Sequence, residues 1–471
     1  MAARWSAILE GTLREQALAA VADTVAHSLA QRGGGPTVAD GLSGLALLVL
    51  EASRARPQLA TRRDAARMMQ RILPLAAEVP LTPSLFEGYT GIGLTLELAR
   101  RAGVSRVAST AEIDRALLAA VERFDQLPPE HAPLDLIGGI AGQALYACAR
   151  LPRVRARRAI EGIVRWLDRR SIAEADGVTW LSPPRPTPRP DQVPGEIYDL
   201  GIAHGIPGIL AVLACIVETG VAVRTARRLL DGGTRWVLRQ IHRRNGSAFD
   251  IYAPREPGAR VADTLPPSPA RLAWCYGDPG AIAALVRVAH VRGDAELRAT
   301  AMAIVDRIIG IRDDPSVRDA GLCHGHAGLL HICNRLYQAT GDPRARDAAI
   351  YWAERTLVVR ASPHAIIEGG VLHPSPYRAL RFLMGAAGSA LALLAAVSPT
   401  APLWDRFLML DLPAAAPRTK RRPETAVSRV ALDGAADRDR AKPGAPGAVT
   451  VSETPKPRRV PSSRRRRRRA A

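Results

Sequence analysis

Gly205-Ile206-Pro207-Gly208-Ile209-Leu210-Ala211-Val212-Leu213-Ala214 sets two glycines, three residues apart, at the head of an apolar run. The same G-x-x-G pair recurs at Gly41/Gly44, Gly88/Gly91, Gly139/Gly142, Gly277/Gly280, Gly325/Gly328 and Gly385/Gly388. Successive first glycines lie 47, 51, 66, 72, 48 and 60 residues apart. A repeat of this length is one supersecondary unit that must stack on its neighbours to bury its apolar face. Between the apolar runs lie amphipathic segments, clearest at residues 112–124, 157–167 and 296–309, with apolar positions spaced by three and four. The pattern predicts seven glycine-headed helices inside and amphipathic helices outside. Glycine at the head of an inner helix permits close backbone approach where many helix ends converge. An open solenoid needs polar capping repeats, and neither the first nor the last unit reads as one. The expected fold is therefore all-α: an α/α toroid over residues 1–411.

Composition agrees. Apolar residues make up 47% of the 471, aromatics only 4%, and alanine is abundant, which suits packed helices better than sheets. The net charge of +20 is uneven: residues 412–471 hold 17 cationic and 5 acidic side chains, a net +12, leaving +8 for residues 1–411. This tail is rich in Pro, Ala, Thr and Ser and ends in Arg464–Arg469, a composition expected to be disordered and able to contact acidic surfaces non-specifically. No nucleic-acid-binding motif appears in the body, so no specific nucleic-acid partner is expected. Neither residues 205–223 nor residues 383–397 read as a membrane span, and a soluble protein is expected. Five scattered cysteines give no disulfide framework, which points to a reduced, cytoplasmic setting. Proline-rich stretches at residues 182–194, 253–269 and 364–376 read as loops; the first two are either lids over one end of the ring or unordered.

Two glycine pairs are preceded by chemistry. Trp274-Cys275-Tyr276-Gly277-Asp278-Pro279-Gly280 and Cys323-His324-Gly325-His326-Ala327-Gly328 together offer two sulfurs and one imidazole. Zinc binds such a set while keeping a fourth position open, the mark of a catalytic rather than a structural site. His326 is the alternative that would close the site, although two residues further on it should point into the helix turn. His204 directly precedes Gly205, and Asp135 lies four residues before Gly139. If the repeats are equivalent, all these side chains project from one end of the ring, beside helix N-termini that favour negative charge. His204 also reads as a helix-cap histidine, and Asp135 as an N-cap. Cys148, Cys215 and Cys333 sit inside apolar runs and read as core.

The elements Trp274-Cys275-Tyr276-Gly277-x-Pro279-Gly280, Leu322-Cys323-His324-Gly325-x-Ala327-Gly328, Leu200-Gly201-Ile202-Ala203-His204-Gly205-x-x-Gly208 and Asp135-x-x-x-Gly139-x-x-Gly142 resemble the lanthionine synthetase C-like family. The likeness runs from about Gly41 to Asp411 and includes Trp404-Asp405-Arg406-Phe407-Leu408. It implies one zinc ion on Cys275, Cys323 and His324, with a substrate cysteine as fourth ligand. The implied reaction adds that thiol to dehydroalanine or dehydrobutyrine in the same peptide, forming a lanthionine or methyllanthionine ring. The resemblance makes His204 the acid/base and Asp135 its orienting group. It puts Arg271 and Tyr276 along the site, either one able to stabilise the enolate, and Trp274 behind the metal. Implied partners are a dehydrated precursor peptide with a leader, a separate dehydratase and an exporter, through which the protein would sit near the membrane. Two other readings stay open: addition of glutathione or another thiol to dehydroamino acids in proteins, and a non-catalytic, zinc-containing binding toroid. The short gap between the second and third glycine pairs leaves little room for an inserted domain found in the family.

Overall fold

The computed structural model describes residues 5–126, 133–175, 177–182, 197–242, 247–255, 271–361, 367–368, 371–372 and 380–412. The basic tail beyond Leu412 and most of the three proline-rich stretches lie outside the described residues. Seven helices follow the glycine pairs: α2 (Leu42–Ala55), α4 (Tyr89–Arg101), α6 (Ile140–Ala149), α8 (Ile206–Thr219), α10 (Asp278–Arg292), α12 (His326–Thr340) and α14 (Ala386–Val397). Each is buried over nearly its whole circumference, as expected of a helix apolar all round. Each touches the next around the ring, and α14 returns to α2. The structure is the closed double ring expected from the sequence.

Seven amphipathic helices lie outside: α1 (Gly11–Ala30), α3 (Arg62–Ala77), α5 (Ala111–Glu122), α7 (Val154–Arg169), α9 (Val223–Arg239), α11 (Ala295–Ile308) and α13 (Pro343–Ala361). Each outer helix from α3 to α13 packs on the inner helix before it, whereas α1 packs on the last inner helix, α14. Closure therefore joins sequence-distant segments. The Ile8 N–H donates to the Ala396 carbonyl at 2.8 Å, and the Trp5 indole to Ala395 at 3.0 Å. Short antiparallel ladders join β1 (Ile172–Glu174) to β2 (Gly177–Thr179), β3 (Ile197–Asp199) to β4 (Tyr252–Pro254), and β5 (Ile367–Glu368) to β6 (Val371–Leu372). No described helix is long and apolar enough to cross a membrane.

The seven loops feeding the inner helices are bound edge to edge. Val38 and Ala39 donate backbone N–H bonds to Phe86, Leu85 and Phe86 to Ile137, and Leu136 to Ala203. Ala203 donates to Cys275, Cys275 to Cys323, Leu322 and Cys323 to Leu383, and Phe382 back to Ala39. The circuit is closed. Within each loop the chain folds back under its own helix. The Leu42, Tyr89, Ile140 and His326 N–H groups, for instance, bond the carbonyls of Gly35, Thr82, Pro133 and Asp319. Donors left free at a helix N-terminus are thereby satisfied. Such contact excludes a side chain at the second glycine: a Cβ on Gly91 would lie 1.7 Å from the Leu85 carbonyl oxygen.

A turn of 3₁₀ helix, Trp404–Leu408, closes the ring's interior. Phe407 packs on Phe86 and Phe382, both at 6.1 Å between centroids, and the Trp274 indole donates to the Leu408 carbonyl at 2.9 Å. Asp405 is fully buried against His331 and Arg335. Burial pushes its pKa up, but Arg335 and His331 outweigh that and hold it at about 2.

Gly91→Ala should destabilise the fold by about 2–3 kcal/mol through overpacking, measured by chemical denaturation. Gly220→Ala, at φ +74° with nothing within 4 Å, should cost about 1 kcal/mol from the left-handed backbone alone. Asp405, depressed in the fold, contributes stability above its unfolded pKa of about 4 that is lost as pH falls toward 2. Asp405→Asn should therefore flatten the acid limb of a stability–pH curve.

Candidate metal centre

The circuit of loops explains how cysteines 48 residues apart come to meet. The Cys275 N–H donates to the Cys323 carbonyl at 3.2 Å, so the two residues hold the same place on neighbouring loops. One ligand atom from each of Cys275, Cys323 and His324 lies within 4.8 Å of the others. The His324 Nε2 faces the Asp319 Oδ2 at 3.1 Å, which leaves Nδ1 for a metal. A carboxylate behind a ligating histidine fixes its tautomer and raises its basicity. The donor set and its support fit zinc.

Electrostatics of the three donors are interlocked. A hydrogen bond from the Cys323 thiol holds Cys275 well below the usual thiol range, against burial, with help from His324 and Arg271. The same contact pushes Cys323 up. Burial pulls His324 down, but Asp319 and Cys275 outweigh it and its pKa is pushed up to about 9. Arg271 is exposed at the start of the Cys275 loop, close enough for its charge to favour both thiolates.

His204 and Asp135 come together as the glycine phase suggested. The His204 Nδ1 lies 2.8 Å from the Asp135 Oδ2, while the Asp135 Oδ1 accepts from the Gly138 and Gly139 N–H groups at 2.7 and 2.9 Å. Asp135 is thus both loop cap and histidine partner. The His204 ring faces that of Tyr276 at 6.2 Å and 26°. The Tyr276 hydroxyl donates to the Asp199 Oδ2 at 3.0 Å, and Tyr252 meets the Tyr276 ring edge-on at 6.0 Å. Trp274 is buried on the interior side of the Cys275 loop. His326 is not part of the metal group: its Nδ1 contacts the Asp319 carbonyl at 2.7 Å and its ring lies against Trp352. Cys148, Cys215 and Cys333 are buried, each with its thiol pKa pushed up by burial.

Two supporting residues escaped the sequence reading, Asp199 and Asp319. Both are buried, and both use Oδ1 to accept the N–H of the glycine two residues on, Gly201 at 2.8 Å and Gly321 at 2.6 Å. Their signal was present as a repeated D-x-G-x-x-H-G: Asp199-Leu200-Gly201-Ile202-Ala203-His204-Gly205 and Asp319-Ala320-Gly321-Leu322-Cys323-His324-Gly325. Asp278 was also missed; its carboxylate takes the Ala248 and Phe249 N–H groups, fastening the segment that leads to Tyr252.

A closed α/α toroid with a two-sulfur, one-imidazole group able to hold a metal at its loop end defines the class. Residues 34–409 match the family described as lanthionine synthetase C-like protein, and the chain belongs to that family. Among solved structures it is similar to a nisin cyclase, with a TM-score of 0.66 and 16% identity over 85% of this chain and 98% of that one. No curated protein matches the chain by sequence.

Cys323→Ala and His324→Ala should abolish stoichiometric zinc binding, read by elemental analysis of the purified protein. Asp319→Asn should retain the site but weaken zinc affinity about 10–100-fold, measured by competition with a chromogenic chelator.

Proposed function

We propose that the protein is a zinc-dependent lanthionine synthetase, closing thioether rings in a dehydrated precursor peptide. The observation carrying this reading is the Cys275–Cys323–His324 group on the same circuit of loops as the His204–Asp135 pair. When bound there, zinc would supply the Lewis acidity that deprotonates a coordinated thiol near neutral pH. The reaction is an addition without oxidant or reductant. The thiol loses its proton, a sulfur–Cβ bond forms, the Cα=Cβ π bond breaks, and the electron pair moves onto the carbonyl oxygen as an enolate. Protonation of Cα completes the ring, so the product has the mass of the substrate.

His204 supplies and receives that proton. Asp135, pinned by two backbone N–H groups, fixes the imidazole's orientation and favours the charged form as it develops. Of the two candidate enolate partners we favour Arg271. Tyr276 has one hydroxyl proton and donates it to Asp199, whereas the exposed Arg271 guanidinium keeps its donors for an incoming oxygen. Tyr276 then forms a wall that holds the His204 ring. The His204–Asp135 pair on the same circuit of loops as the Cys275–Cys323–His324 group favours catalysis over a binding toroid. A peptide carrying dehydroamino acids has to come from a dehydration step, which a separate dehydratase would perform in the cytoplasm.

The test is incubation of the zinc-loaded protein with a dehydrated, cysteine-containing peptide. Ring closure removes the alkylatable thiol at unchanged mass, whereas addition of supplied glutathione raises the mass by one glutathione. Absence of ring closure on every dehydrated substrate overturns the proposal, and glutathione addition in its place assigns the protein to thiol addition instead. His204→Asn should keep full zinc while slowing turnover by about 10²–10⁴-fold; wild-type turnover in that variant removes His204 from the mechanism.

A further inference from the structure

Two neighbouring outer helices repeat one surface. Helix α7 carries Ala156-Arg157-Arg158-x-x-Glu161-Gly162-x-x-Arg165-Trp166-x-x-Arg169, and α9 carries Ala226-Arg227-Arg228-x-x-Asp231-Gly232-x-x-Arg235-Trp236-x-x-Arg239. In both, the alanine, glycine and tryptophan are buried and the arginines exposed. The two helices hold 10 arginines against 3 acidic residues, a net +7 that nearly equals the +8 of residues 1–411. Arg158 pairs with Glu122, and Arg228 with Asp168. Among the described residues Arg157, Arg165, Arg227 and Arg235 have no carboxylate partner.

The two rows follow one another. Asp168, next to the last residue of α7, meets Arg228 in the second turn of α9, so α9 is displaced along its axis relative to α7. The β1–β2 ladder that follows α7 packs on the middle of α9, with Gly177 against the Gly232 carbonyl. From Arg157 to Arg165 a helix rises ~12 Å, and Arg227 and Arg235 repeat that spacing on α9. Both helices lead into the mouth. The chain after β2 reaches Ser182, which lines a small cavity with Asp135 and His204. The chain after α9 reaches Tyr252, which meets Tyr276.

We infer that this arginine track holds an acidic segment of the peptide substrate and leads the adjoining residues to the metal centre. The inference rests on the peptide-cyclase reading for its substrate class. Guanidinium forks suit carboxylates, binding them through paired N–H donors. The patch shows no exposed aromatic ring on which bases would stack, and its single exposed large hydrophobic, Val154, offers no apolar face to a bilayer.

The test uses the full chain and a fluorescein-labelled, glutamate-rich peptide carrying a benzophenone, read by anisotropy and by mass spectrometry of cross-links. Cross-links are expected within residues 154–170 and 223–240. The quadruple variant Arg157→Gln, Arg165→Gln, Arg227→Gln, Arg235→Gln should lose those cross-links and raise Kd for the peptide at least tenfold, with unchanged zinc content and thermal unfolding. On a dehydrated substrate bearing the acidic segment the variant should raise KM at unchanged kcat, and on a short substrate lacking it should match wild type. Cross-links confined to residues 413–471, an unchanged Kd in the variant, or track-dependent binding of phosphatidylserine vesicles or single-stranded DNA but not of the peptide would overturn it. Peptide binding is measured without turnover, so failure of the cyclase reaction and failure of the track are separate results.

Discussion

A closed circuit of backbone hydrogen bonds through seven loops is the constraint on which the site depends. Each loop must approach two neighbours and its own helix at once, and backbone can do so only where side chains are absent. The paired glycines meet that need: a Cβ on Gly142, Gly208, Gly280, Gly328 or Gly388 would lie about 2 Å from the carbonyl six residues earlier. Loops so bound have no freedom to slide. A residue's offset from its glycine therefore fixes which way its side chain faces.

That rule sorts the chemistry. Three residues before the first glycine stand Val38, Leu85, Leu136, Ile202, Trp274, Leu322 and Phe382, every one buried beneath the loops. One residue before it stand Asp40, Glu87, Gly138, His204, Tyr276, His324 and Met384, none of them buried. The intermediate position carries Cys275 and Cys323 on adjacent loops. A one-residue slip in either loop would swap a ligand for a core side chain. The Cys–Cys–His group thus needs no local C-x-x-C turn, because ring order and offset together bring the three side chains into one place.

Most of this was legible from sequence because glycine spacing is a one-dimensional record of backbone approach. The seven inner helices, the ring and the Cys–Cys–His group could be read from it, as could the placing of His204 and Asp135 at one end of the ring; their pairing came from the family resemblance. What could not be read has a common cause. Asp199, Asp319 and Asp278 look like ordinary turn or cap residues, and only the fold shows that Asp199 reaches Tyr276 on the neighbouring loop, Asp319 the imidazole of His324 on its own loop, and Asp278 the backbone of Ala248 and Phe249. The pairing of α1 with α14 is a contact between sequence-distant helices with no local signature. Glu51 likewise lies mid-helix in an apolar run, yet its carboxylate accepts the Leu403 and Trp404 N–H groups that anchor the 3₁₀ turn closing the ring.

The three carboxylates at the mouth share one construction. Asp135, Asp199 and Asp319 each engage Oδ1 with backbone N–H groups of their own loop and turn Oδ2 to a side chain, His204, Tyr276 and His324 respectively. An aspartate held at one oxygen cannot rotate away from what the other oxygen holds, so the rigidity of the circuit passes into three functional side chains. A catalytic group that must be oriented before the substrate arrives gains most from such a link, since positioning done in the resting protein does not have to be repeated at each turnover. On the proposed cyclase reading the division of roles would follow from the partner alone: a carboxylate behind His204 would support a proton carrier, one behind His324 a metal ligand, and one behind Tyr276 would engage its hydroxyl proton and leave the developing negative charge to Arg271.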